Sequence, residues 1–301
     1  MHTGHGNQED AASWTVPPWR PGGSSYALPA TLAAIEQRVA QARADGVPAA
    51  QMAAYRNGPA TEMADVPDNA YADGKIADEA IRRLAAAAAK SAEPWFIGVG
   101  FIKPHLPFCA PKKYWDLYDA AKLPLPAHKV PPLGAPAFAP TRGLGELRLY
   151  SDMTADQSLD EARTRRVIHG YYAAVSYMDA QLGRVLEAFD RHGFGKNSII
   201  VLWGDHGWHL GDHGLWAKHT NYEQATRIPL IIAAPGVPGN TRPKALIETV
   251  DLYPTLCELA GLPAPAGLEG KSFVPVLKNP AREIRDHVIH VYPRGSLLGR
   301  A

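Results

Sequence analysis

At 301 residues, with 46% hydrophobic residues, the chain is long enough for one large α/β domain or two smaller ones, each with a real core. A formal net charge of +1 excludes bulk attraction to nucleic acid or an anionic membrane, although a local cationic pocket is compatible with it. Two cysteines make no disulfide framework, no apolar run approaches membrane-spanning length, and Met1 to Asp10 carry no secretory signal.

Residues 1 to 27 are rich in Gly, Pro and polar side chains, with Trp14, Trp19 and Tyr26 interspersed, and read as an irregular segment anchored by its aromatics. Leu32 to Val39 places apolar residues at helical intervals ahead of the breaker Gly46. A second helix runs from Ile76 through the alanines 85 to 89 and stops before Pro94. It feeds the apolar run Trp95 to Ile102, which reads as a strand. Lys103-Pro-His-Leu-Pro-Phe108 follows, where Pro104 and Pro107 stiffen the backbone. Such a loop suits the aiming of His105, whose imidazole could protonate a leaving oxygen while a nearby Lys binds an anion. The same residues also fit a plain proline-rich surface loop.

Pro124 to Pro140 holds six prolines and predicts an extended surface connection. The longest helix spans roughly 159 to 191, with Tyr171, Val175, Met178, Leu182, Val185 and Phe189 forming one stripe toward a core. Gly193 and Gly195 end it. Ser198 to Trp203 reads as a buried strand that would deliver Gly204-Asp-His-Gly207 at its end, the edge where open α/β sheets place ligands. Flanking glycines permit a turn in which Asp205 and His206 each offer a ligand to one cation. A carboxylate favours Ca²⁺ and an imidazole favours Zn²⁺, so the pair alone chooses neither metal; a polar loop is the competing reading. His209, Asp212 and His213 follow in the same loop, then Lys218, an ammonium able to neutralise an anionic substrate or to lie exposed. Ile228 to Ile232 reads as another strand, and Asp251 to Gly261 as a short helix capped by Asp251. Helix and strand alternate, which predicts an α/β fold: a three-layer αβα sandwich on a mainly parallel sheet.

Lys103-Pro-His-Leu-Pro-Phe108, Gly204-Asp-His-Gly-Trp-His-Leu-Gly-Asp-His-Gly-Leu-Trp-Ala-Lys218 and Arg227-Ile-Pro-Leu-Ile-Ile232, in that order, closely resemble the sulfatase family of the alkaline phosphatase superfamily. Asp73-Gly-Lys-Ile-Ala-Asp78, Gly170-Tyr-Tyr-Ala-Ala-Val-Ser-Tyr-Met-Asp179 and Val250-Asp-Leu-Tyr-Pro-Thr255 extend the likeness, which is strongest to the iduronate 2-sulfatase branch. The resemblance implies hydrolysis of a sulfate ester on a sulfated sugar by a formylglycine nucleophile, with a divalent cation, usually Ca²⁺, holding the sulfate; Zn²⁺ or Mg²⁺ are alternatives. By position, Asp205 and His206 would belong to the metal site, Lys218 would bind sulfate, and His105 would protonate or stabilise the departing oxygen. Lys103 is a further substrate-contact candidate. It also implies a formylglycine-generating enzyme as partner and a periplasmic, secreted or lysosomal setting for the intact protein.

The departures are specific. Formylglycine is made from the Cys of a Cys-x-Pro-Ser-Arg motif, and neither Cys lies in one: Cys109-Ala-Pro-Lys-Lys113 has only the Pro, and Cys257 reads as a buried helix residue. The family's paired N-terminal Asp ligands have no match either. The expectation is a partial catalytic domain over 1–301, incomplete at both ends and inactive by itself. A metal-dependent phosphodiesterase or phosphonate hydrolase of the same superfamily, and an inactive anion-binding remnant, are the alternatives.

Overall fold

The structure is a computed structural model that describes residues 10–90, 92–136, 139, 143–153 and 159–292. The chain forms two compact units. One comprises the described residues up to His192 together with Trp208–Lys218, and the other Gly193–Gly207 with the described residues from His219 onward.

In the first unit, helix α1 (Pro29–Ala44) opens on a proline in its first turn, where a missing N–H costs nothing. Strand β1 (Thr61–Ala64), helix α2 (Ala72–Ala88), strand β2 (Phe108–Pro111), the short helix α3 (Lys112–Trp115) and the long helix α4 (Glu161–Arg191) follow. β1 and β2 pair in parallel, with Thr61 opposite Phe108 and Ala64 opposite Pro111. Asp160 caps α4, its carboxylate accepting from the Arg163 N–H at 2.7 Å. The helix lies across the strand pair because its contact surface is small. Its buried residues include Gly170, Ala173, Ala174 and Ala188, and a Cβ on Gly170 would stand 3.0 Å from Phe108, Thr61 and Trp115. The predicted stripe is therefore rotated. Of its six members only Phe189 is buried, and the others are half-buried around a centre of small residues that permits closer approach than large ones would. Tyr177 fastens α4 to the start of α2, accepting from Gly74 N at 2.7 Å and donating to Asp68 O at 2.8 Å.

The run Trp95 to Ile102 has no strand ladder among the described residues, and Phe96 is 73% exposed. The strand of this region is β2, beyond the Pro-His-Leu-Pro turn, and it is wholly buried. Its proline ends the strand, where a missing donor is tolerated. The unit closes with a hairpin of strands β4 (His209–Leu210) and β5 (Trp216–Ala217), numbered after β3 (Ile200–Trp203) of the second unit.

In the second unit β3 pairs antiparallel with β6 (Leu230–Ala233), Trp203 opposite Leu230. Only the four-residue helix α5 (Glu223–Thr226) of this unit lies between them in sequence, in place of the crossover helix that parallel pairing uses. Val201, Leu230 and Ile232 pack with Leu252, Phe273 and Val276 beside helices α6 (Leu252–Leu259) and α7 (Val274–Lys278). Asp251 does not cap α6 with its side chain. Its carboxylate accepts from the backbone N–H groups of Glu248 and Lys271 and from Arg285.

The chain is thus an incomplete α/β fold. Among its described residues the strands form three two-stranded sheets, one parallel and two antiparallel. No helix among them is long and apolar enough to cross a membrane. Residues 124–136 form no helix or strand, as their prolines predict; Ala137, Phe138 and Pro140 lie outside the described residues.

Candidate active site

The loop carrying His105 is tied down at both ends. Asp73, fully buried in the first turn of α2, accepts from the backbone N–H groups of Ile102 and Lys103, both at 2.9 Å. Burial pushes its carboxyl pKa up, against the two N–H groups and the Lys103 charge, which favour the anion. Lys103 is also buried, and its ammonium donates to the carbonyls of His105 at 2.9 Å and Pro107 at 2.6 Å. Burial lowers its pKa while Cys109 and Asp73 oppose the shift. The Lys103-Pro104 and Leu106-Pro107 peptide bonds are cis. Lys103 therefore braces the loop from within.

His105 Nδ1 donates to Leu106 O at 2.8 Å, which leaves Nε2 as the acceptor. Lys218 Nζ donates to that Nε2 at 2.8 Å. The two residues predicted to handle sulfate and leaving group, far apart in sequence, are thus in direct contact. Partial burial lowers the His105 pKa, with the Leu106 hydrogen bond and the Glu146 charge opposing and the Lys218 charge reinforcing, and a ring that donates from Nδ1 and accepts at Nε2 is the neutral tautomer. Its side chain is 41% exposed, open to a ligand, whereas that of Lys218 is 18% exposed.

Two further residues complete this wall. Glu146 receives Lys218 Nζ at 3.1 and 3.2 Å on its two oxygens and lies 3.5 Å from His105 Nε2. It sits on a 3₁₀ turn, Gly145–Leu149, whose first residue has φ +57° and would place a Cβ 2.9 Å from Trp216 O. Only glycine permits that approach, and it brings Glu146 to the Lys218 hairpin. Trp208 lies under both partners, its ring centroid 5.3 Å from Lys218 Nζ and edge-on to His105 at 5.6 Å. Glu146 carries no sequence pattern that marks it; the Gly-Glu step before a Leu-rich turn is its only signal. Asp73 lay within a stretch read for family likeness alone.

His209 and His213 have structural positions. His209 is buried in the hairpin and its pKa is pushed down to about 4 by that burial, with Asp212 opposing and His213 reinforcing. His213 donates from Nδ1 to Val130 O at 3.1 Å and stacks on His128 at 5.9 Å, holding the proline-rich segment. A groove of about 530 Å³ lined by Thr61, Ser151, Asp152, Arg163 and Arg166 contains none of the predicted site residues.

In the second unit, Asp205 and His206 stand just beyond β3. Asp205 Oδ1 accepts from His206 N at 3.0 Å, and His206 Nδ1 donates to Gly207 O at 2.8 Å, turning Nε2 to within 3.7 Å of Asp205 Oδ2. Gly207 N donates to Ala225 O at 2.8 Å, and a Cβ there would lie 2.0 Å from Gln224 O, so α5 demands glycine. The donor set, one carboxylate and one imidazole whose second nitrogen is anchored on a carbonyl, fits part of a divalent cation's shell. Among the described residues no group of three or more His, Cys, Asp or Glu is arranged to hold a metal. Neither cysteine is a nucleophile in waiting: Cys109 is fully buried with its thiol pushed up to about 12, and Cys257 is buried in α6.

The chain is 31% identical to mouse iduronate 2-sulfatase over 92% of its own length and 53% of that protein's. It is 38% identical to a sulfatase of Formosa agariphila over 62% of this chain and 36% of the relative. It therefore spans about half, or less, of the curated relatives it matches. Among solved structures, the phosphonate monoester hydrolase of Silicibacter pomeroyi superposes with a TM-score of 0.62 at 27% identity, covering 72% of this chain and 43% of that one. A protein solved with its substrate D-glucosamine-2-N,6-O-disulfate shares the fold at a TM-score of 0.60 and 24% identity, covering 72% and 54%. The sulfatase family model matches residues 32–262, a span that contains His105, Asp205, His206 and Lys218 and most of the chain, and on that match the chain belongs to the sulfatase family.

Proposed function

We propose that this chain carries the sulfate-binding and leaving-group wall of a sulfuric ester hydrolase that acts on a sulfated sugar, with iduronate 2-sulfatase-like chemistry. The observation that carries the reading is the 2.8 Å hydrogen bond from Lys218 Nζ to His105 Nε2, presented by a braced loop. Lys218 supplies the positive charge that a sulfate ester needs. As the ester bond breaks, charge grows on the departing alcohol oxygen, and a prepositioned ammonium stabilises it without reorganisation. His105 faces Lys218 through Nε2, so the proton for the leaving oxygen originates on the Lys218 ammonium and passes by way of Nε2, leaving a neutral lysine. This refines the assignment of that task to His105 alone. Lys103 and Asp73 hold the loop so that the pair stays aligned.

Asp205 and His206 would contribute to the cation site, with Ca²⁺ preferred and Zn²⁺ or Mg²⁺ as alternatives; a bound cation would polarise the ester oxygens. The family's formylglycine has no counterpart in these 301 residues, and the two buried cysteines do not substitute for it. In this reading the 301 residues alone do not turn over an aryl sulfate, and the intact protein relies on a formylglycine-generating enzyme and works in a periplasmic, secreted or lysosomal setting. The likeness to a phosphonate monoester hydrolase supports a second reading, hydrolysis of a phosphonate or phosphodiester, for which the same wall would serve.

Equilibrium dialysis with radiolabelled N-acetylglucosamine 6-sulfate tests the proposal. Lys218→Ala is expected to weaken binding about tenfold or more, consistent with losing a charge-assisted contact. Unchanged affinity would remove the basis of the reading.

A further inference from the structure

The wall holds a carboxylate where a pure anion receptor would have none. Lys218 Nζ lies 3.1 and 3.2 Å from the two Glu146 oxygens, and Glu146 Oε2 lies 3.5 Å from His105 Nε2. Lys218 contributes one positive charge, Glu146 one negative charge and His105 none, so the three sum to zero. Lys103, a further cation near His105, is buried behind the loop with its ammonium on the carbonyls of His105 and Pro107. Glu146 is also no accident of a mobile surface. Its backbone is fixed by the close approach of Gly145 to Trp216 O, and its side chain is 21% exposed, so a ligand on Lys218 would feel it.

Repulsion from a fixed carboxylate scales with the charge of the incoming anion. A sulfate monoester carries one negative charge, as do a phosphonate monoester and a phosphate diester. A phosphate monoester carries close to two above its second pKa of about 6. We infer that Glu146 is a specificity-determining residue: its carboxylate neutralises Lys218, so that the wall accepts singly charged esters and excludes doubly charged phosphate monoesters. The inference rests on the proposed reading that Lys218 receives the anionic group.

The test uses the full 301-residue chain with ¹⁵N-labelled histidine, following the His105 resonance while methyl sulfate or methyl phosphate is added at about pH 8, where the phosphate is a dianion. Wild type is expected to prefer methyl sulfate. Glu146→Gln should raise methyl phosphate affinity about tenfold and methyl sulfate affinity only about threefold, erasing much of the preference. Glu146→Asp, which keeps the charge, should retain it, and Glu146→Ala should behave as Gln, which guards against one badly folded variant. An unchanged ratio of affinities in both neutral variants would overturn the inference. The Lys218→Ala variant separates the two levels. If it abolishes methyl sulfate binding while the neutral variants leave the ratio unchanged, only the role of Glu146 fails. If methyl sulfate still binds beside His105 without Lys218, or wild type binds neither anion, the reading beneath fails with it.

Discussion

The wall around His105 and the turn around Asp205 differ in how they are held. At the wall, nearly every polar atom of the working loop has a partner within its own unit: Asp73 on two backbone N–H groups, Lys103 on two carbonyls, His105 between Leu106 and Lys218, and Lys218 between His105 and Glu146. At the turn, Gly207 fixes the backbone against α5, Asp205 Oδ1 accepts from His206 N, and His206 Nδ1 donates to Gly207 O. The first arrangement draws its hydrogen-bond partners from distant parts of its unit, so its geometry depends on the packing of several elements. The second sets a carboxylate and an imidazole side by side on a turn held by local bonds. Sequence motifs of similar strength can therefore be held in place by distant or by local contacts.

That contrast is open to direct attack. Asp73→Ala should have the largest effect, because it strands two buried N–H groups; about 3 to 5 kcal/mol of stability should be lost in urea unfolding. A loss under about 1 kcal/mol would mean that the loop does not depend on this brace. Gly207→Ala should cost about 3 kcal/mol, since a Cβ 2.0 Å from Gln224 O forces α5 to move. The same unfolding assay reads it, and a neutral result would show that the turn yields easily. The last effect is spread over a pH range rather than felt at once. His209 has a folded pKa of about 4 against an ordinary 6.5, so as pH falls the unfolded chain takes up the proton first. Stability should decline between about pH 6.5 and 4 by about 3 kcal/mol at most from this residue, and His209→Gln should flatten that slope. An equal slope in the variant would place the pH sensitivity elsewhere.

Much of the fold was legible because helices α2, α4 and α6 carry strong periodicity and clear stops. The strand β2 was not, since Phe-Cys-Ala-Pro looks like more of the proline-rich loop before it, whereas its identity as a strand comes from pairing with β1 across a large sequence gap. The run Trp95 to Ile102 failed in the opposite sense: apolar composition alone cannot supply a ladder partner. In α4 the large residues drew attention while Gly170, Ala173 and Ala174 made the contact. His105 and Lys218 stood out as motif residues, and the structure brings them together. Glu146 did not, because its place depends on one glycine with positive φ packing against a distant hairpin.

The most direct test of the central claim is the ¹⁵N spectrum of His105 as methyl sulfate is added to wild type and to Lys218→Ala. The account predicts a neutral, Nδ1-protonated ring whose Nε2 signal moves with the anion in wild type and stays still in the variant. A ring already charged at neutral pH, or an Nε2 signal that responds equally in both proteins, would contradict it.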